Sequence, residues 1–531
     1  MEYIIISFFI LLFTLLNMLP VIVSFFHMPP GTIFIGIPHW YEDYFFYLSL
    51  IKQGAIGQWH ALNWYTTEAL PSYPGYWCYI FLGKINAFLQ LDPWTIYNVT
   101  LFLSSLLFLF LTYICIRNIF PKKPLIRIIA FIFTVSATAF FQISYTQGNI
   151  TFTPYSFYFT PTLALNRLGG TIHQLWTNIL VLFYIYLSYP LFDALLKKSL
   201  RQCTKKRIVS IITIHILLFS LNPASVMIVL ASFGITGIIL FYQKKHWPTL
   251  MRLCGVLIVL FLISIPFLLQ YMDASNHPFY QYILLSFSKT FQRITIATFF
   301  LATGAISCFA ILGYSSWIKE KTPLHIFGLV FILFPSLLYL SPIPGFFNLP
   351  YERILQPGSY IFLGSLGALG LMRIAHKNML FLTGLFTLFL LLQGVVITEE
   401  VKSRLNGIQD VYFLNTINKD LYNGINHLDK EPYGIVFGPY IESIITPALS
   451  GKPVYAAHRL LTIEYEKKKQ EINNFLNLQW TPKEAQTFFQ KNNITYIIVP
   501  YGKDVQDRIQ TQYPFLIQRF SNPALSYYIG K

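Results

Sequence analysis

Apolar runs of about twenty residues recur along this chain as far as residue 397, and a run of that length is what an α-helix needs to cross a bilayer. The first, Ile4 to Phe26, lacks a basic leader and an Ala-x-Ala-like cleavage site, so it reads as a retained spanning helix rather than a signal peptide. Hydrophobic residues make up 55% of the chain and charged ones only 11%. The formal net charge of +16 would suggest nucleic acid in a soluble protein. Here Lys and Arg collect in short connections between apolar runs, as the positive-inside effect requires, and nucleic acid is not expected as a partner. Cys78, Cys115, Cys203, Cys254 and Cys308 are scattered without metal or disulfide spacing, so they read as packing thiols.

The connections alternate in charge. Arg117 to Arg127, Lys197 to Arg207, Lys244 to Arg252, Lys319/Lys321 and Arg373/Lys377 are basic, and the alternate connections hold far less: Lys52 and Lys84, Arg167, none at Asn222-Pro223, Lys289 and Arg293, and Arg353. That alternation places the basic connections in the cytoplasm of an integral membrane protein. Spans are expected at 4–26, 95–116, 125–146, 171–196, 208–221, 224–243, 253–271, 294–317, 324–341, 357–373 and 378–397, about eleven in all. Residues 44–58 and 75–91, rich in aromatics with Lys52 and Lys84, suit helices lying along the interface. After Thr398 charge rises to soluble density. Tyr433–Gly438, Pro453–His458 and Ile494–Pro500 read as strands, and Thr462–Asn477 and Thr481–Asn492 as helices, the second with Thr481 as N-cap and Pro482 at the first helical position. The expected architecture is an α-helical polytopic membrane domain over 1–397, with an outer loop at 27–94, and a small extracytoplasmic α/β domain over 398–531.

That outer loop carries the chemistry. His39-Trp40-Tyr41-Glu42-Asp43-Tyr44 and Trp64-Tyr65-Thr66-Thr67-Glu68 gather three carboxylates among aromatics, where acids are otherwise scarce. Glu42 and Asp43 are adjacent, so on a helix they point about 100° apart and need not act together. Either, aimed into a cleft, would accept a proton from a nucleophile or hold a divalent cation; the bland alternative is that loop carboxylates face water. Glu68 returns to the same region, where it would either orient an acceptor or, with Asp43, complete a site for Mg or Mn. His39, Tyr44 and Trp64 are candidate substrate contacts. Arg353, in Tyr351-Glu352-Arg353 before a span, and Arg167, in Asn166-Arg167-Leu168-Gly169-Gly170, are candidate phosphate forks, or snorkelling interface residues. His173 opens a span on the same face. His458 ends the second C-terminal strand and is a candidate site-facing residue, with Thr462 expected to cap the next helix.

These patches resemble the GT-C superfamily of membrane glycosyltransferases, in its uncharacterised prokaryotic branch, related in layout to oligosaccharyltransferase catalytic subunits, protein O-mannosyltransferases and aminoarabinose transferases. The likeness rests on Asp43-Tyr44, Tyr47-Leu48-Ser49, Ile51, Gln53-Gly54, Gly57 and Trp59, then Tyr65-Thr66-Thr67-Glu68 and Leu82-Gly83-Lys84 to Tyr97. It continues in Tyr351-Glu352-Arg353 and in Gly451-Lys452-Pro453-Val454-Tyr455 to His458 and Thr462, with Ala457 where the family usually has Gly. The resemblance implies transfer of a sugar from a polyprenyl-phosphate or polyprenyl-diphosphate carrier to a glycan, lipid or protein acceptor outside the cytoplasm of a prokaryotic cell. It assigns an acidic residue of the first outer loop as base or metal ligand, which falls on Asp43, with Glu42 and Glu68 in support. Phosphate is already a good leaving group, so its departure needs charge stabilisation, the role given to Arg353. The competing classes are a lipid or polysaccharide flippase, which would place ionisable groups near the bilayer midplane, and a GT-C-like scaffold without activity.

Overall fold

The computed structural model describes residues 1–72, 74–146, 149–155, 161–196, 205–244, 247–290, 294–320, 322–346, 351–375, 378–409, 415–500 and 503–530. The basic connection at 197–204 and the Leu349-Pro350 step before Arg353 lie outside them. The chain divides into two compact units. Met1–Leu19 with Leu101–Leu405 form one, and Pro20–Thr100 with Asn406–Lys531 form the other.

The first unit is helical, and the protein is an α-helical integral membrane protein. Every expected span contains a helix. Among the described residues six helices are long and apolar enough to cross a bilayer, including Glu2–Phe26 (α1), Pro93–Ile119 (α4) and Met379–Leu405. A seventh would be Ile296–Thr303 with Ala305–Glu320, bent by 93° at Gly304. Gly304 has φ +77, and its α-carbon faces the Thr138 carbonyl so closely that a Cβ would lie 1.9 Å away. The bend is therefore specific to glycine.

The expected span 125–146 is shorter than its sequence suggested. Its helix, Pro124–Ser136, ends and the chain turns into an antiparallel hairpin, Phe141–Thr146 (β2) with Asn149–Pro154 (β3). Ile143, Tyr145, Ile150 and Thr151 explain the change, because β-branched and aromatic residues in alternation favour a strand.

The second unit joins residues 27–94 to the C-terminal residues. Thr32–Phe34 (β1), just after α1, pairs antiparallel with Thr416–Asn418 (β4), with Ile33 opposite Ile417. Ile435–Phe437 (β5), Ile494–Pro500 (β6), Leu516–Ser521 (β7) and Leu525–Gly530 (β8) form a sheet in the order β5-β6-β8-β7, parallel only between β5 and β6. Phe437, Phe475, Phe489, Val499, Ile509 and Tyr513 fill the core between this sheet and its helices. Thr481 caps helix Pro482–Lys491 in a full capping box with Glu484, as its sequence indicates. The expected strand Pro453–His458 is reduced to single bridges, Val454 on Val436 and Ala456 on Thr66.

Tyr41–Ala55 (α2) and Trp77–Leu89 (α3) are the two helices expected in the loop. Residues 44–51 of α2 are buried, whereas α3 exposes Phe81, Ile85 and Phe88. The two helices meet backbone to backbone: a Cβ on Gly54 would lie 2.2 Å from the Ile80 carbonyl oxygen, and one on Gly83 2.1 Å from that of Ile51. Above that contact Tyr47 stacks on Tyr79 at 4.5 Å and Tyr79 on Tyr97 of α4 at 6.1 Å. Replacing Gly83 with Val should therefore destabilise the protein by roughly 1–3 kcal/mol. A melt in detergent reads this as a lower midpoint, whereas Gly394→Ala, where a Cβ meets nothing within 4 Å, should match the wild type. An unchanged melt for Gly83→Val would show that α2 and α3 do not approach this closely.

Candidate active site

The site begins at the first turn of α2. Pro38 stops any earlier helix, and the amide of Tyr44 donates to the Trp40 carbonyl at 2.9 Å to close the turn. Trp40 offers no side-chain cap, so the amides of this turn favour negative charge beside them, and Glu42 and Asp43 supply it. At the far end of α2 the Gln53 amide folds the chain back, donating to the Leu62 carbonyl and accepting from the Leu62 amide, both at 2.9 Å. Residues 63–66 then run along residues 454–463. Asn63 donates to the Leu461 carbonyl at 2.7 Å, the Val454 amide to the Trp64 carbonyl at 2.8 Å, and the Thr462 hydroxyl to the Tyr65 carbonyl at 2.6 Å. Thr462 is thus a staple and not a cap: the helix it precedes starts at Tyr465, with Glu464 at the cap position.

This weave delivers His458 and Arg459 to the two acids. His458 Nε2 lies 3.3 Å from Asp43 Oδ1, with the imidazole 2% exposed and the Asp43 side chain 43% exposed. Arg459 Nε donates to Glu42 Oε1 at 3.0 Å, and its Nη2 to the Tyr41 hydroxyl at 3.1 Å. Tyr41 and Tyr440 hydroxyls are 2.6 Å apart, and Tyr440 donates to Glu42 Oε1, which closes a ring of four side chains. Burial, and then the hydrogen bond to Glu42, push the Tyr440 phenol far above its ordinary pKa, so it remains a donor. The Glu42 hydrogen bond likewise raises Arg459, which stays charged.

Glu68 does not join them. Lys468 Nζ, on a side chain 5% exposed, donates to both of its carboxylate oxygens, at 2.7 and 2.8 Å, and reaches the Thr66 and Thr67 hydroxyls at 3.2 and 3.3 Å. Thr66 also donates to Glu68. The expectation of a catalytic or metal-binding Glu68 is corrected on that ground: its oxygens hold a buried ammonium. Tyr44 and Trp64 are corrected as substrate contacts because both are buried, Tyr44 completely, with its hydroxyl donating to the Ile35 carbonyl at 2.9 Å. His39 stays beside the first turn of α2, its Nε2 2.7 Å from the Tyr97 hydroxyl.

Arg167, His173 and Arg353 belong to the other unit. Arg167 is buried and donates to the carbonyls of Pro161, Val135 and Ala137 at 2.9, 3.0 and 2.5 Å, with its guanidinium 4.3 Å over the Tyr360 ring. Those bonds serve the fold, and Arg167 is corrected as a phosphate ligand. His173 is buried in the first turn of helix Ile172–Leu196, and Arg353 is exposed at the end of the turn Tyr351–Arg353.

Sequence reasoning missed Tyr41, Tyr440, Arg459 and Lys468. Arg459 had a signal, standing next to His458. Lys468 is the middle of Lys467-Lys468-Lys469, a run that reads as a solvated face, and only the middle residue is buried there. Among the described residues no cluster of three or more His, Cys, Asp or Glu side chains could hold a metal. Glu42 is already paired, so the donor set does not fit a resident Mg or Mn, and no step is routed through one.

No protein-family model and no curated protein sequence matches the chain. Solved structures do. The arabinofuranosyltransferase AftD from Mycobacteria is 13% identical at a TM-score of 0.53, over 99% of this chain and 41% of that one. The oligosaccharyltransferase of Archaeoglobus fulgidus is 12% identical at 0.50, over 100% of this chain and 74% of that one. This chain has the GT-C fold. ArnT from Cupriavidus metallidurans is matched over 98% of both chains at 11% identity, but its TM-score of 0.48 adds nothing to that conclusion. Within the GT-C fold of this chain, residues 20–100 and the C-terminal residues share one compact unit.

Burial raises the Glu68 pKa, but the Lys468 and Thr66 hydrogen bonds and the Lys468 charge outweigh it, leaving the group below its ordinary 4.5. A depressed folded pKa stabilises above the unfolded value and loses that contribution as pH falls through the folded one. Wild-type melting should therefore decline on acidification below about pH 4.5 with a component absent from Glu68→Gln. At pH 7 that variant should be less stable by about 1–2 kcal/mol, a value discounted for the half-exposed carboxylate. Equal acid sensitivity of the two proteins would contradict the pairing.

Proposed function

We propose that this protein is a membrane glycosyltransferase that moves a sugar from a polyprenyl-phosphate-type carrier to an acceptor outside the cytoplasm. The observation that carries the reading is Asp43, a half-exposed carboxylate at a helix start, held by a buried histidine, in a chain with the GT-C fold. A general base must be reachable and fixed, and Asp43 is both.

In the proposed step the acceptor hydroxyl gives its proton to Asp43 as its oxygen bonds to the anomeric carbon. The bond from that carbon to the carrier phosphate breaks, and the electron pair leaves with the phosphate. Direct displacement of this kind inverts the anomeric centre. Arg353, exposed at its turn, is the residue proposed to meet the departing phosphate. Residues 27–94, which include Asp43, and the C-terminal residues are proposed to lie outside the cytoplasm.

Incubating the detergent-purified protein with a panel of polyprenyl-phosphate sugars and a membrane-glycan extract should consume one donor, followed by mass spectrometry. Asp43→Asn should reduce that rate by about 10²–10⁴-fold with the protein still folded. Turnover by Asp43→Asn at the wild-type rate would remove Asp43 as base, and lipid movement across vesicles without transfer would favour a flippase.

A further inference from the structure

We infer that the dipeptide His458-Arg459 sorts the adjacent acids Glu42 and Asp43, holding Asp43 as the working base and neutralising Glu42, so that both residues are positioning residues of the reaction proposed above. The inference rests on that reading for its chemistry. Its geometry stands apart from it.

The histidine's hydrogen bonds decide its tautomer. His458 Nδ1 accepts from the backbone amides of Leu460 at 3.2 Å and Leu461 at 3.3 Å. In a neutral imidazole the accepting nitrogen carries no proton, so the proton sits on Nε2, and Nε2 donates to Asp43 Oδ1. That same proton bars Nε2 from ligating a metal. The ring is held edge-on by Phe46 at 6.4 Å and Tyr65 at 5.8 Å. A carboxylate has about four lone-pair positions, and this bond takes one of them and helps to fix the plane of a group whose side chain is 43% exposed.

Glu42 is treated differently. Its Oε1 receives both Arg459 Nε and the Tyr440 hydroxyl, and its side chain is only 16% exposed. The Arg459–Tyr41–Tyr440–Glu42 ring runs donor to acceptor without a break, so the carboxylate is charge-paired and its orientation set. Consecutive residues of the C-terminal segment thereby meet consecutive residues of α2, Arg459 on Glu42 and His458 on Asp43.

Two readouts test this. With ¹⁵N-histidine labelling, the resonance lost in His458→Gln identifies His458. It should report the neutral Nε2–H tautomer and shift in Asp43→Asn. An Nδ1–H tautomer, or an imidazolium at neutral pH, would overturn the inference without any need for turnover. In the transfer assay His458→Ala should lower kcat by about 10–100-fold with KM within about twofold, and His458→Gln, which keeps an N–H donor, should recover most of it. A His458→Ala enzyme at wild-type kcat, or a Gln variant no better than Ala, would also overturn it. A wild-type protein with the expected tautomer that consumes no donor would remove the proposed reaction and leave the pairing standing.

Discussion

A buried ammonium must be met by acceptors, and Lys468 meets its own on Thr66, Thr67 and Glu68. Much of the second unit follows from that requirement. Residues 66–68 cannot leave the C-terminal helix Tyr465–Leu476 without stranding the charge, and so the strip from Asn63 to Thr66 stays paired along residues 454–463. The strip in turn sets where His458 and Arg459 fall relative to α2. At the other end of the loop β1 pairs with β4, so the loop is tied to the C-terminal residues on both sides of Glu42 and Asp43.

The division of labour between Glu42 and Asp43 is a consequence of helix geometry. Two consecutive residues in a first turn point about 100° apart, so one partner cannot serve both. Arg459 and His458, themselves consecutive, meet them separately. The one acid becomes a structural member of a tyrosine–arginine ring, and the other keeps an exposed side.

Much of the membrane part was legible because hydropathy and charge report the same constraint. Apolar runs became helices where they were expected, and the Thr481-Pro482-Lys483-Glu484 cap formed as written. Hydropathy alone does not distinguish a helix from a strand. The run expected at 125–146 therefore hid the β2–β3 hairpin, and the one at 294–317 hid the break at Gly304, where a carbonyl distant in sequence leaves no room for a Cβ. In the site, Asp43 and His458 could be singled out as residue types in a suggestive context. That Glu68 would be spent on Lys468, and Arg167 on three carbonyls, depends on partners far away in sequence, for which a single chain carries no local signal.

Residues 27–94 and the C-terminal residues form one folded body. Thr66 and Ala456 are opposed in an antiparallel bridge. Residues so placed have Cα atoms about 4.5–5.5 Å apart, within the reach of a disulfide. With the five native cysteines replaced, Thr66→Cys with Ala456→Cys should cross-link under mild oxidation and yield one joined peptide by mass mapping. A folded double variant that gives no joined peptide would mean that the loop does not lie on the C-terminal residues, and that His458 and Arg459 do not reach its acids.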